Sequence, residues 1–582
     1  MKKKAGLTRS ISGIAVLCLL ITLFAGCGGD TASTEGTSTG NATASTSAAT
    51  DSTAAQTPEL YKIQILSTPL SIVKTSSDTE IGKVLKEKFN IEFEFLPTSG
   101  DQREKQNLML ASGDYPEIVR LEGNDMVNKY ISADALVSLD EYLPNAKNFT
   151  KIYEEQIPYW RVASPDGKLY KWEMLVPQDF AATVEINDMA VRTDALEKQG
   201  WPNLVTEDDW FNFLKTAMEQ MPETNGQKTI GMVMPFAESW GPGLVEFMEK
   251  GGTYVDQGTN DTVIWNEKEK KWEHVFTIKE TIDNYRWFNR LYRAGILDKD
   301  CFTDTLDQVR SKVVSGQALS MWYVIWEAGG ANAEFVKAGN PEMQYINMPI
   351  RSNAQQAANE DRLVRVETTR PFDSVAITKN AKDPERIFEM IDWCLSEEGQ
   401  ILLQSGIKGK TYNIVDGKRV PTEEYIKALE SDPEYSEKIG FDLYRFLGST
   451  RLKGSDGINY YISTDPTYSD TLFLTDRQKE AYQKLGWANS RDFWLKIGVS
   501  APSGLASTCS LDTNSDEGRL NEKFNEFRVK TGAKLITSKT EAEFDANLKN
   551  ALAEYDKIGL QKVVDKYNEI LEANKLKLEK YK

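Results

Sequence analysis

Aromatic side chains in loop-like segments are the residues of this chain whose type and setting best suit binding chemistry. The sequence contains 13 Trp and 23 Tyr. Several Trp lie in polar segments that contain Gly or Pro, among them Trp172 (DGKLYKW) and Trp240 (AESWGPG), and Trp322 and Trp326 follow a strand-like run (MWYVIWE). An indole offers a wide apolar face that matches the C–H face of a sugar ring, while neighbouring carboxylates and amides bind hydroxyls. These indoles are therefore candidates for stacking on a ligand, and the competing interpretation is that they fill a core.

Few residues in the chain suit catalysis. His274 is the one histidine, which argues against multi-histidine zinc sites and histidine-dependent triads. It lies in a stretch rich in Lys and Glu, which predicts a surface position. No phosphate-binding loop or dinucleotide fingerprint accompanies the first strand. A glycoside hydrolase needs two converging carboxylates, and no spacing among the 87 acidic residues singles out such a pair.

A possible calcium loop over 512–523 fails on two positions. Its first, third and fifth residues fit, but the sixth is Glu517 in place of Gly, and the twelfth is Lys523 in place of Glu. The segment is better interpreted as the start of a helix. No metal site and no cofactor are predicted.

The folded part opens with a strand, a helix and a second strand. Residues 61–66 form an apolar run, Ile81 to Phe89 follow helical spacing, and Ile91, Phe93 and Phe95 alternate strictly. This order is typical of a βαβ unit and predicts an α/β lobe. A helix over 102–110 and a short buried strand over 117–120 continue it.

Helical patterns dominate the later part of the chain. The helix over 207–220 has Thr206 as its N-cap, and two C-terminal helices over 541–581 break near Gly559. The other predicted helices cover 194–199, 282–294 and 384–403.

The N-terminus predicts export and lipid anchoring. Basic residues precede an apolar run over 11–24, and Ala-Gly-Cys27 follows it. This order is typical of a signal peptide, and the run is too short for a spanning helix. The segment resembles a bacterial lipobox, in which the Cys27 sulfur is acylated, for example with palmitate. Residues 28–57 are almost entirely small and polar, which predicts a disordered tether.

Length and charge limit the remaining possibilities. The body over 58–582 is longer than one core supports, so at least two domains are expected. Removing residues 1–26 takes away four basic residues and no acidic ones, so the net charge falls from −18 to −22. This charge argues against nucleic acid as a partner. Cys301, Cys394 and Cys509 cannot all pair and are predicted to be small buried hydrophobic residues.

Short motifs recur in a fixed order along the body. The most specific is 108–119 (LMLASGDYPEIV). Glu117 occupies a position where known examples of this motif usually have Asp. The others are 135–142 (ALVSLDEY), 166–170 (DGKLY), 191–196 (VRTDAL), 291–298 (LYRAGILD), 383–386 (DPER), 396–399 (SEEG) and 405–412 (SGIKGKTY). Together they resemble extracellular solute-binding proteins of family 1, the sugar-type receptors of ABC importers, and in particular their long lipoprotein subgroup from Gram-positive bacteria.

This resemblance implies a type II periplasmic-binding-protein-like α/β fold. Two lobes would be joined by crossing hinge segments, the second lobe would be rich in helices, and a ligand would bind in the cleft as the lobes close. Lobe one would comprise 58–185 plus 372–410, and lobe two would comprise 186–371 plus 411–582.

The resemblance also implies a function and a set of ligand contacts. The chain would be a monomeric, non-enzymatic receptor on the outer face of the cell membrane, binding an oligosaccharide and delivering it to the transmembrane subunits of an ABC permease. Trp240, Trp322 and Trp326 would stack on sugar rings. Asp125 and Glu327 would accept hydrogen bonds, Arg370 would donate them or form an interlobe ion pair, and Trp172 and Tyr412 would add contacts.

Three alternatives remain open at this point. The ligand could be a peptide or another polar solute, the chain could be a lipid-anchored enzyme that cleaves glycans, or it could report ligand to a membrane kinase instead of a permease.

Overall fold

The computed structural model describes residues 59–582 except for 68–71, 98–101, 181–188, 239, 247–250, 256–261, 324, 367, 370–372, 433, 470 and 490, with the backbone alone described at 67, 325–327 and 430. The predicted signal peptide, Cys27 and the tether lie outside the described residues. Among the helices of the described part, none combines the length and the apolar character needed to cross a membrane.

The strands are short and scattered along the chain. They are β1 Tyr61–Ser67, β2 Ile91–Pro97, β3 Ile118–Leu121, β4 Lys171–Glu173, β5 Met189–Arg192, β6 Glu223–Thr224, β7 Gln227–Lys228, β8 Ile230–Val233, β9 Tyr254–Val255, β10 Val263–Asn266, β11 Lys271–His274, β12 Ala318–Trp322, β13 Tyr345–Met348, β14 Arg362–Val366, β15 Ser374–Ile377, β16 Tyr412–Val415, β17 Lys418–Pro421 and β18 Gly498–Pro502.

The helices surround these strands and are longest at the C-terminus. They are α1 Glu80–Phe89, α2 Gln102–Ser112, α3 Gly123–Ser132, α4 Lys147–Ile152, α5 Ile157–Ala163, α6 Thr193–Lys198, α7 Glu207–Gln220, α8 Gly241–Glu246, α9 Lys279–Arg293, α10 Leu306–Val314, α11 Ile325–Ala338, α12 Asn353–Ala357, α13 Pro384–Cys394, α14 Glu397–Ser405, α15 Glu423–Ser431, α16 Tyr435–Ile439, α17 Pro466–Ser469, α18 Asp476–Leu485, α19 Arg491–Ile497, α20 Asp516–Ile536, α21 Glu541–Ile558 and α22 Gln561–Leu578.

Lobe one is built on β1–β4 and β15. β1 and β2 pair in parallel with Tyr61 opposite Ile91, which confirms the predicted βαβ opening. β15 lies between β3 and β4 and is antiparallel to both, with Ser374 opposite Leu121 on one side and Glu173 on the other. Helix α1 starts at an N-cap because Thr79 accepts a hydrogen bond from the Gly82 backbone.

Lobe two is built on a four-stranded sheet in the order β13-β5-β12-β8. β12 and β8 are parallel, and β5 is antiparallel to both of its neighbours. Met189, the first residue of β5, lies opposite both Trp322 and Met348. Helix α7 has the predicted bounds and the predicted N-cap, since Thr206 and Asp209 form a capping box.

The apolar cores show which segments belong to each lobe. The main core of lobe one combines side chains from Tyr61–Val176 with others from Val375–Tyr468, including Tyr425, Phe446 and Ile462. The main core of lobe two contains Met189–Ile350 together with Ala481–Leu571. The boundary predicted after residue 410 is therefore too early, because the segment through Tyr468 packs on the strands of lobe one.

The structure corrects one predicted helix and confirms two other helix predictions. The single helix predicted over 384–403 is wrong: the chain forms α13 and α14, and the Ser396 side chain caps the second by accepting a hydrogen bond from Gly399 N at 3.2 Å. The predicted break near Gly559 is confirmed, because α21 ends at this residue with a φ of 82°. Helix α20 starts at Asp516 with Ser515 as its N-cap, which likewise confirms the helix interpretation of the rejected calcium loop.

His274 is buried, so the prediction of a surface position is wrong. Its side chain is 2% exposed, and its ring lies against Phe524 and Tyr555 at 4.4 and 4.5 Å between centroids. These neighbours come from α20 and α21, far along the sequence. Cys301, Cys394 and Cys509 are all buried and unpaired, as predicted.

Candidate ligand-binding site

Connectivity identifies the edge of each sheet that faces the other lobe. In lobe one, β3 and β4 end beside Ser374, where β15 begins, so the crossing segments leave and enter at this edge. In lobe two, the chain enters at Met189, opposite the end of β12. β8 and β12 are parallel, so their carboxyl ends lie at that same edge. The crevice outside the carboxyl ends of strands is where α/β folds hold ligands.

An aromatic pair stands at the lobe-two edge. Trp240 follows β8 after a short loop, and Tyr323 directly follows β12. Their rings are stacked, with centroids 4.9 Å apart and an interplanar angle of 18°. Both side chains are only partly buried. We refer to Trp240 and Tyr323 as the aromatic pair.

The loop that carries Trp240 is fixed by hydrogen bonds. Gly241 N donates to Glu238 O at 2.8 Å, and Gly243 N donates to Trp240 O at 3.0 Å, which closes the turn into α8. The Glu238 carboxylate accepts a hydrogen bond from Leu306 N at 2.8 Å, at the first residue of α10. The loop is thereby tied to a helix of lobe two, so the indole is positioned before any ligand arrives.

Sequence reasoning missed Tyr323 and chose its neighbour. Trp322 is 3% exposed, and its indole Nε1 donates to Leu244 O at 2.8 Å within the lobe-two core. Tyr323, the next residue, is only half-buried and packs against a second apolar core that contains Met321. All five residues of β12 are buried, so no alternation along the strand distinguishes Trp322 from Tyr323.

At the lobe-one edge, Asp125 is already engaged. It lies in the first turn of α3 and forms an ion pair with Arg103, in the first turn of α2. Arg103 Nη1 also donates to Glu122 O at 2.7 Å. Asp125 is 18% exposed and Arg103 is 40% exposed. A carboxylate has about four acceptor positions, so Asp125 can still accept from a ligand hydroxyl.

A second ion pair lies on the same edge. Arg120 Nε is 2.5 Å from Asp373 Oδ1, and Asp373 directly precedes β15. No motif in the sequence indicates this pair. Arg370, which was selected from the sequence, lies outside the described residues.

Beneath this edge lies a fully buried lysine–glutamate pair. Lys171 Nζ is 2.5 Å from Glu173 Oε1, 2.8 Å from Asn124 Oδ1 and 3.0 Å from Ser374 Oγ. Lys171 is 3% exposed and Glu173 is fully buried. Burial raises the pKa of Glu173 to about 7, against the opposing effect of Lys171, and burial lowers the pKa of Lys171. Asn124 in turn donates to Ser507 O at 2.8 Å.

The other selected aromatic residues lie in the core of lobe one. Trp172 is fully buried, and its Nε1 donates to Phe446 O at 2.7 Å. Tyr412 is 9% exposed at the start of β16. Neither ring has a face open to a ligand in this structure. The side chains of Trp326 and Glu327 lie outside the described residues, so their roles stay predictions.

The sequence match decides the family. A model of the bacterial extracellular solute-binding proteins matches residues 74–401. The chain belongs to this family. Among related proteins, lipoprotein LipO of Bacillus subtilis is 25% identical over 379 residues, covering 62% of this chain and 70% of LipO. The fructooligosaccharide ABC transporter substrate-binding protein FusA of Streptococcus pneumoniae is 26% identical over 262 residues, covering 42% of this chain and 46% of FusA.

A solved structure shares the fold. The alginate-binding protein AlgQ2, in its calcium-free form, superposes with a TM-score of 0.62 at 16% identity, covering 88% of this chain and 98% of AlgQ2. The predicted type II two-lobe fold is thereby confirmed.

Proposed function

We propose that this chain is a lipid-anchored extracellular receptor that binds an oligosaccharide between its lobes and delivers it to an ABC importer. The observation that carries this proposal is the aromatic pair, Trp240 and Tyr323, at the carboxyl edge of two parallel strands. The names of FusA and AlgQ2 describe proteins that bind fructooligosaccharides and alginate, which supports an oligosaccharide ligand. LipO is a lipoprotein by name, which supports the lipid anchor.

The lobe-two edge would supply stacking contacts, and the lobe-one edge would supply hydrogen bonds. The exposed surface of the aromatic pair would stack on the apolar face of a sugar ring from the lobe-two side. Across the crevice, Asp125 would accept hydrogen bonds from hydroxyls while Arg103 donates. Trp326, Glu327 and Arg370 would complete the set as the sequence predicts. Charged and amide groups beside an apolar platform suit an uncharged polyhydroxyl ligand.

We expect Trp240→Ala to weaken oligosaccharide binding tenfold or more, because a lost stacking contact costs about 1–3 kcal/mol. The ligand for the assay is the member of a defined oligosaccharide panel that most raises the melting temperature of the wild-type protein. Isothermal titration calorimetry then gives both dissociation constants.

Trp393→Ala is the matched control, since Trp393 is also half-buried but packs against Phe89 in lobe one. It should leave affinity unchanged. Equal affinities of Trp240→Ala and wild type would refute the stacking role.

The lipid anchor has its own test. Cys27→Ser should move the protein from the membrane fraction to the culture medium or leave it unprocessed, because a hydroxyl cannot form the thioether to the lipid. Cys18→Ser is the matched control, because Cys18 lies within the predicted signal peptide, and it should stay with the membrane. Mass spectrometry that finds no lipid on wild-type Cys27 would contradict the proposal.

A receptor releases its ligand unchanged, whereas a hydrolase releases cleavage products. We propose that the chain releases its oligosaccharide intact. Product analysis after prolonged incubation separates this outcome from cleavage by a lipid-anchored hydrolase.

A further inference from the structure

The last helix of the chain contacts both lobes. Near its start, α22 belongs to lobe two: Asn568 Nδ2 donates to Trp272 O at 3.0 Å, and Trp272 N donates to Asn568 Oδ1 at 2.9 Å. Val563, Tyr567 and Leu571 lie in the lobe-two core. This end of the helix is therefore fixed to β11.

In its C-terminal half, α22 contacts a turn that is bonded to both lobes. Asn574 Nδ2 is 3.0 Å from Thr508 Oγ1, in the 3-10 turn Ala506–Thr508. The next carbonyl in that turn, Ser507 O, accepts from Asn124 of lobe one, and Ser507 Oγ lies 2.6 Å from Thr369 Oγ1 in the crossing segment after β14. All these side chains are at most 4% exposed.

The end of α22 reaches lobe one. The helix packs against α5, and Lys582 Nζ lies 5.4 Å from the centre of the Tyr159 ring. The Tyr581 hydroxyl approaches Gly167 so closely that a Cβ on this glycine would come within 2.0 Å of it. Gly167 also has a φ of 76°, so glycine suits the position twice.

A stiff element fixed at both ends restricts motion between its supports. An α-helix rises about 1.5 Å per residue, so the 18 residues of α22 span about 27 Å. Relative rotation of the lobes must slide or break the contacts at one end.

We propose that α22 with residues 579–582 is a hinge strap, which restrains the two lobes and sets the open–closed equilibrium of the ligand-free protein. The contacts at its lobe-one end can shift more easily, because Tyr581 is 37% exposed. The side chains at its lobe-two end are buried in the lobe-two core. The proposal uses the two-lobe fold and does not require that the ligand be an oligosaccharide.

The test measures the distance between the lobes without ligand. Spin labels on Lys151→Cys in α4 and Lys215→Cys in α7 report one distance, since both positions are exposed and lie in different lobes. The labelled protein is the full chain carrying Cys18→Ser and Cys27→Ser. The three remaining native cysteines are buried and should not react.

Removing residues 579–582 should release the strap. We expect the minor lobe arrangement to become about tenfold more populated, which appears as a second peak or a broader distance distribution. Tyr581→Ala, a milder variant, should change the distribution in the same direction.

Leu576→Ala is the control on the same helix, because Leu576 is 67% exposed, and it should match the wild-type distribution. If the shortened chain and Tyr581→Ala both melt as wild type and give the wild-type distribution, the strap proposal is overturned. A failure to bind sugars would leave this result intact, so the two proposals fail separately.

Discussion

Replacing Lys171 with Met should lower the free energy of unfolding by about 3–5 kcal/mol at neutral pH, because removing one partner of a buried ion pair leaves the other charge uncompensated. Glu173 is fully buried beside it, and Ser374 Oγ donates to its Oε1 at 2.5 Å. Without the ammonium group, Glu173 must either stay charged in an apolar setting or take up a proton. Urea denaturation measures the loss.

The loss from Lys171→Met should shrink in mild acid. The pKa of Glu173 is already raised by burial, and it rises further when the opposing effect of Lys171 is removed. A group whose pKa is higher in the folded state than in the unfolded state stabilises the protein below its unfolded-state pKa, and this stabilisation is lost as pH rises. The free-energy cost of protonating Glu173 in Lys171→Met is therefore smallest at low pH. A loss that stays constant with pH would contradict this account.

Two companion variants isolate the buried pair. Lys171→Met combined with Glu173→Leu should recover much of the stability, since apolar replacements of both partners are often neutral. Lys279→Met removes one partner of the exposed pair with Asp283, where the side chains are 79% and 48% exposed. It should change stability by less than about 1 kcal/mol.

Wild-type stability should fall by about 2 kcal/mol more than that of His274→Phe between about pH 7.5 and pH 5. Burial, followed by the nearby charge of Arg528, lowers the pKa of His274 to about 3, whereas the unfolded-state value is near 6.5. The unfolded chain therefore binds a proton that the folded chain does not. The contribution is fully present above about pH 6.5 and is lost as pH falls toward 3.

The comparison with His274→Phe removes the other titrating groups from the measurement. The substitution also deletes the hydrogen bond from Phe276 N to His274 Nδ1, 3.1 Å long, but that cost is the same at both pH values. Parallel stability profiles of the two proteins from pH 7.5 to pH 5 would show that His274 is not the responsible group.

Local patterns in the sequence predicted the local structure well. Alternation at Ile91, Phe93 and Phe95 and the capping box at Thr206 each depend on neighbours within a few residues. His274 failed for the opposite reason. Its charged neighbours point outward, while His274 points inward along β11, and the helices that cover it come from the end of the chain.

The candidate site and the lobe boundary also depend on contacts between distant segments, which local sequence patterns do not show. The sequence identified Trp240 but favoured Trp322 over Tyr323, because no local pattern shows that Trp322 is buried in the core while Tyr323 is only half-buried. It also could not show that Tyr425 and Phe446 pack on lobe one. Packing between segments far apart in the chain decides both, and no local pattern encodes it.

The interleaving of the two cores has a consequence for biosynthesis. Lobe one needs side chains up to Tyr468, and lobe two needs side chains up to Leu571. A chain made from its N-terminus cannot close either core until most of it has been synthesised, because contacts distant in sequence form late. This order delays the folding of both lobes until the C-terminal segments are available.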